Sequence, residues 1–157
     1  MSRYHLSFTR LVATLFMGAA ALFSLPARAD TTFGVRTGVY TDAEAAFLGG
    51  EAVVKMAPHW YFNPNLEATL NADRDVFTVN ADFHYDFFTD RPYWVWAGAG
   101  PAFIHRQEPV DGDDDDLGAN LFGGIGWKTR SQISPYVQAK VTLSDVDEAV
   151  LAVGMRF

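Results

Sequence analysis

Two groups of residues have the types and spacing for chemistry. Asp82, His84 and Asp86 recur at alternate positions of one stretch, and in an extended chain that spacing puts all three side chains on one face. A carboxylate beside an imidazole can orient it for general-base work, so His84 with Asp82 forms the catalytic candidate. No serine stands at a spacing that suggests the nucleophile such a pair would need: Ser131, Ser134 and Ser144 fall in turns or at segment ends. The three residues are therefore read as part of an interior polar network, and no catalytic residue is assigned. The second group is Asp111, Asp113, Asp114, Asp115 and Asp116. Clustered carboxylates suit calcium or magnesium, but the sixth position of this run is Asp116 rather than Gly and the twelfth is Phe122 rather than Glu, so the EF-hand pattern fails. The run reads as a solvated acidic loop, a weak divalent-cation loop at most, and neither a metal site nor a cofactor is assigned.

The absence of cysteine excludes a disulfide framework, a thiolate nucleophile and a thiolate metal site. At the N-terminus, Arg3 and Arg10 precede an apolar run from Leu11 to Leu25, Pro26 breaks it, and Ala27-Arg28-Ala29 supplies small residues two apart. This is the pattern of a secretory signal, residues 1–29, too short for a stop-transfer helix. The mature chain, residues 30–157, is read as one domain. The signal takes three basic residues and no acidic ones, leaving nine bases against nineteen acids and a net charge of −10. Nucleic acid is not the expected partner of so acidic a chain. Thirteen Phe, four Trp and six Tyr, with 49% apolar residues, exclude disorder. No later segment reaches the roughly eighteen apolar residues of a spanning helix. If the mature chain crosses a membrane, it must cross as a closed barrel.

The elements that would position these residues are strands. Eight segments alternate with period two: 32–40, 48–57, 60–71, 77–86, 93–104, 117–128, 136–143 and 149–157. In the fourth, Phe77, Val79, Ala81, Phe83 and Tyr85 alternate with Thr78, Asn80, Asp82, His84 and Asp86, a division no helical face could make. Pro64 interrupts the third, and the fifth is apolar on both faces. Eight is an even number and the smallest size for a transmembrane barrel.

Period two does not say which face is outside, since a soluble barrel, apolar within, alternates as well. Placement decides. With both termini at one end, that end is collared by Trp60, Tyr61, Phe62, Tyr85, Phe87, Phe88, Tyr93, Trp94, Trp127, Tyr136 and Phe157, the composition of an interfacial girdle on the periplasmic side. All four connections at the opposite end, including the loop 105–116, carry acids; His59 and His105 read as turn and loop residues. On the polar faces, Glu51, Glu67 and Asp82 come from segments two to four and Arg36, Lys140 and Arg156 from segments one, seven and eight. With Lys55 and His84 they are expected to form an ion-paired network filling a lumen about wide enough for side chains, because an unpaired charge there would cost on the order of 3–5 kcal/mol.

The last residues, Leu151-Ala-Val-Gly-Met-Arg-Phe157, alternate up to a terminal aromatic. With the Gly-rich stretches Trp96-Ala-Gly-Ala-Gly-Pro101 and Phe122-Gly-Gly-Ile-Gly-Trp127, this resembles the small eight-stranded outer-membrane barrels of the OmpA/OmpX-like type. The resemblance implies an all-β, antiparallel up-and-down transmembrane β-barrel, exported through the periplasm to a bacterial outer membrane. It implies assembly by the barrel assembly machinery, with Phe157 as the signal read, and contact with outer-membrane lipid and lipopolysaccharide. Members act as structural anchors, adhesins, resistance factors or, in a few lineages, lipid-modifying enzymes. The expected role is non-enzymatic, structural or in surface interaction, and the chain is expected to be monomeric. The alternatives are a lipid-modifying enzyme using His84 and Asp82, a narrow pore, and a soluble periplasmic lipid-binding barrel.

Overall fold

A computed structural model describes residues 31–157 except 43, 71–74, 88, 109–111 and 146; the expected signal lies outside the described residues. The strands are β1 Thr31–Tyr40, β2 Ala45–Ala57, β3 Trp60–Thr69, β4 Asp75–Phe87, β5 Tyr93–Glu108, β6 Gly112–Trp127, β7 Ser134–Leu143 and β8 Glu148–Arg156. Each pairs antiparallel with its sequence neighbours, and β8 returns to β1 to close the barrel. The closing ladder runs from Gly34↔Arg156 to Tyr40↔Val150. Phe157 seals its end: Phe157 N donates to Phe33 O at 2.9 Å and Phe33 N to Phe157 O at 3.2 Å. No sheet edge is left along that seam, which is what a spanning sheet requires.

The pleat sorts side chains inside and out. Val35, Leu48 and Leu151 are 50%, 55% and 56% exposed on the outer surface, whereas Arg36, Glu51 and Glu67 are buried within. This facing is the inverse of a soluble lipid-binding barrel. An outer belt that also includes Val79, Phe83, Phe103, Leu121, Val141 and Val153 matches hydrocarbon rather than water as its surroundings. In β5, whose sequence did not reveal its facing, Trp96, Ala102 and Ile104 point in and Phe103 points out.

Pro64 does not break β3. The β2–β3 ladder lapses between Glu51↔Asn65 and Val54↔Phe62, where Pro64 has no N–H to give. Asn63 Nδ2 supplies the missing donor, reaching the Ala52 carbonyl at 3.0 Å, so the buried backbone acceptor is satisfied.

The structure corrects the sequence expectation in two places. The expected loop 105–116 is largely strand: β5 continues to Glu108 and β6 begins at Gly112. A cross-strand hydrogen bond and an ion pair hold this extension, with His105 Nδ1 2.6 Å from Asp115 Oδ1 and Arg106 Nη1 3.5 Å from Asp116 Oδ2; such cross-strand pairs support an antiparallel ladder. The aromatic collar also divides. Trp60, Phe87, Trp127 and Phe157 are exposed outside, but Tyr136 is buried, Tyr61 stacks on the buried His84, and Trp94 packs on Trp96. These three share the alternation of Asn63, Trp96 and Gln138, which face in. Phe88 lies outside the described residues.

A closed barrel of this kind is expected to migrate differently in electrophoresis before and after boiling. Gly38→Ala would place a Cβ 2.0 Å from the Leu151 carbonyl oxygen and 2.8 Å from Ala152 Cα, backbone atoms that cannot step aside without opening the β1–β8 seam. That variant is expected to lose the heat-modifiable band.

Candidate functional site

The inward faces of β1 to β4 and β6 to β8 meet across the lumen in a polar network. At its centre is Glu67, with no exposed surface. It accepts hydrogen bonds from Lys140 Nζ at 2.8 and 3.0 Å and from Tyr40 Oη at 2.5 Å, and Arg36 Nη2 lies 2.6 Å away. Nearer the terminus end, Glu51 accepts from Arg156 Nε at 2.8 Å, Arg156 Nη2 at 3.4 Å and Asn63 Nδ2 at 3.0 Å. Arg36 Nη1 stands 3.9 Å from the same carboxylate, so its guanidinium bridges the two glutamates. The Arg156 guanidinium lies over the rings of Trp96, at 4.9 Å, and Tyr136, at 4.7 Å, a cation–π arrangement that strengthens where water is excluded.

Asp82 is held by amides. Asn65 Nδ2 donates to its Oδ2 at 2.8 Å and Asn120 Nδ2 to its Oδ1 at 2.9 Å. Asn80 donates to Asn65 at 2.9 Å, Asn120 to Asn80 at 2.8 Å and Thr142 to Asn120 at 2.8 Å. Asn63, Asn65, Asn80 and Asn120 were not singled out from the sequence. Their signal was the alternation, which puts Asn63 and Asn65 on the face of Glu67 and Asn80 on the face of Asp82.

Three acids, Glu51, Glu67 and Asp82, meet three bases, Arg36, Lys140 and Arg156, and all six are buried. Lys55 is corrected: it is exposed, because it lies past the last buried layer at the terminus end of β2, where inward alternation no longer means burial.

His84 and Asp82 face the same lumen without forming the catalytic pair. The carboxylate beside His84 is Asp86, whose Oδ1 is 3.4 Å from Nε2. The imidazole stacks on Tyr61, with ring centroids 5.3 Å apart, and is flanked by Trp96 and Phe122. Its Nδ1 has no hydrogen-bond partner among the described residues, so no serine or threonine hydroxyl is bonded to it.

The acidic run is not a convergent cage. Within β6 the pleat sends Asp114 and Asp116 to one side and Asp115 to the other; Asp115 is paired with His105, and Asp116 with Arg106. Asp116 Oδ2 also accepts from Asp145 N at 3.1 Å. Asp111 and the side chain of Asp113 lie outside what is described. Among the described residues no group of three or more acids or histidines is placed to hold a metal ion.

No family model and no curated protein sequence matches the chain. Solved structures do. The N-terminal β-barrel domain of Pseudomonas aeruginosa OprF superposes with a TM-score of 0.68 at 16% identity, over 81% of this chain and 96% of that one. Neisserial surface protein A gives 0.63 at 14% identity, over 80% and 92%. The outer membrane enzyme PagL gives 0.54 at 13% identity, over 80% and 98%. The likeness is one of fold, the small eight-stranded barrel of outer-membrane proteins, and its examples include an enzyme.

Glu67→Gln is expected to lower stability by about 3–5 kcal/mol, because it leaves Lys140 and Arg36 buried around a neutral amide. Urea unfolding in detergent micelles measures it. Adding Lys140→Met to that variant should recover part of the loss, since replacing both partners removes an uncompensated charge.

Proposed function

We propose that this chain is a non-enzymatic resident of a bacterial outer membrane, a stable barrel that anchors and presents the hairpins at its far end. The observation that carries this reading is the filled midsection of the lumen. A pore would need a continuous water path, but Arg36, Glu67, Lys140, Asp82 and the asparagines around it occupy the cross-section, ion-paired or hydrogen-bonded across it. Catalysis would need a nucleophile bonded to His84; Ser134, Thr32 and Thr89 line the same recess, but among the described residues His84 Nδ1 has no hydrogen-bond partner and Nε2 faces Asp86. What remains available to a partner is the surface at the two ends.

The chain termini are assigned to the periplasmic side, as in barrels with short periplasmic turns. The cleaved segment is 1–29, and the terminal Phe157, hydrogen-bonded into the seam with β1, is the residue the barrel assembly machinery reads. Outside, the β5–β6 hairpin rises past its neighbour β7, which pairs with β6 only as far as Ala119↔Leu143. The chain functions as a monomer. Acids near this end, Asp42, Asp114, Asp115, Asp145 and Asp147, are exposed, and divalent cations bridge them diffusely to lipopolysaccharide.

Because the chain has no cysteine, single cysteines report topology cleanly. Asp114→Cys is expected to react with a membrane-impermeant maleimide on intact cells, and Lys128→Cys only after the outer membrane is permeabilised. The reverse pattern would invert the orientation, and labelling of both in a soluble periplasmic fraction would refute membrane residence. Calcium is expected to raise the thermal midpoint of the barrel in lipopolysaccharide-containing vesicles, and chelation to reverse it. An unchanged midpoint would remove the cation-bridging element of the proposal.

A further inference from the structure

At the end carrying the chain termini, the lumen opens into a recess of about 420 Å³. Arg156 and His84 lie deepest in it, Tyr61, Trp94 and Asp86 form its walls, and the exposed Lys128 stands at its rim. Above this level every buried carboxylate is met: Glu51 by Arg156, Glu67 by Lys140, Asp82 by two asparagines. Asp86 is different. Its side chain is 23% exposed, yet Oδ1 is buried and lacks a hydrogen-bond partner among the described residues, as does His84 Nδ1. The imidazole Nε2 stands 3.4 Å from that oxygen without completing a hydrogen bond. An entering ligand meets Asp86 through the exposed part of its carboxylate, beside an oxygen and an imidazole nitrogen that the described residues leave unsatisfied.

The opposite sign is present in the same space. Arg156 commits Nε and Nη2 to Glu51, leaving Nη1 outside that fork, and Lys128 adds a second positive charge. The walls between are aromatic and held in place. Trp94 stacks on Trp96 at 5.8 Å and lies against Gly126, where a Cβ would come within 2.3 Å of the indole. Glycine at 126 is what lets that wall stand.

We infer that this recess binds a small zwitterion with an apolar side chain, of the α-amino-acid class: its ammonium at Asp86, its carboxylate at Arg156 and Lys128, its apolar body against Tyr61 and Trp94. An ion of a single sign would gain one of these contacts and meet a like charge at the other. The inference is independent of the role proposed for the far-end hairpins.

The test uses the mature protein purified from outer membranes in detergent, with phenylalanine, benzoate and benzylamine as probes that share a ring and differ in charge. The readout is the indole N–H resonances. Phenylalanine is expected to shift those of Trp94 and Trp96 saturably while Trp60 and Trp127, on the outer surface, stay still, which separates binding from partition into the micelle. Its affinity should exceed that of either singly charged probe by about tenfold, the worth of one added charged hydrogen bond. Asp86→Asn is expected to weaken phenylalanine without weakening benzoate, and Lys128→Gln to weaken both without weakening benzylamine. Each variant is checked for folding by its mobility before boiling. The proposal is overturned if Trp94 and Trp96 do not respond, if benzoate or benzylamine binds as tightly as phenylalanine, or if both substitutions leave phenylalanine binding unchanged.

Discussion

The structure depends on charge balance in a buried space. An eight-stranded barrel is about wide enough for its own side chains, and each ion taken into such an interior loses several kcal/mol of hydration. Glu51, Glu67 and Asp82 on β2, β3 and β4 meet Arg36, Lys140 and Arg156 on β1, β7 and β8, so the compensation runs across the lumen rather than along one wall. This gives the network a second consequence. A slip of one residue in any of these strands would turn its buried ion outward into the apolar belt and strand the partner inside. Backbone pairing closes the barrel, and the ion pairs make one register of that closure far better than its neighbours.

Packing follows from the same narrowness. A large inward ring fits only where the facing strand has no side chain of its own. A Cβ on Gly124 would come within 2.2 Å of the Trp96 indole, and one on Gly154 within 2.4 Å of the Tyr136 ring. These two rings, set edge to face, both pack against the guanidinium of Arg156, which holds Glu51. The glycines of β6 and β8 are therefore coupled to the charge network through the aromatics they admit, and substituting them would disturb an ion pair they never touch.

Much of this was legible in the sequence because a strand has only two faces. Once Asp82 and His84 are assigned inward, the parity of β4 is settled, and the opposed signs of segments two to four and of one, seven and eight indicate closure. What was not legible depends on height along the barrel axis. Lys55 has inward alternation but sits beyond the last buried layer. Tyr61, Trp94 and Tyr136 lie at the level of the outer aromatics yet on the opposite face, so grouping aromatics by level alone mixed lumen with lipid. The stretch 105–116 has the composition of a solvated loop, and its cross-strand ladder, supported by the pairing of His105 with Asp115 and Arg106 with Asp116, makes it a hairpin. For β5, with apolar residues on both faces, no alternation existed to read.

The pairing that stabilises the middle of the barrel also confines where function can reside. Opening a path there would mean separating Glu67 from Lys140 and Arg36, or Glu51 from Arg156, at about 3–5 kcal/mol for each ion left alone. The asparagine chain around Asp82 would also have to be broken, and in a network whose members satisfy one another such losses exceed the sum of single bonds. A rearrangement of that size will not occur as a passing fluctuation. The ends obey different rules: at the terminus end, Asp86 and His84 keep unsatisfied atoms beside a cavity, and at the other the β5–β6 hairpin stands clear of β7. The same interior that makes the barrel rigid thus separates two ends chemically, one a recess lined by aromatic rings and charged groups and the other a hairpin that outreaches its neighbour.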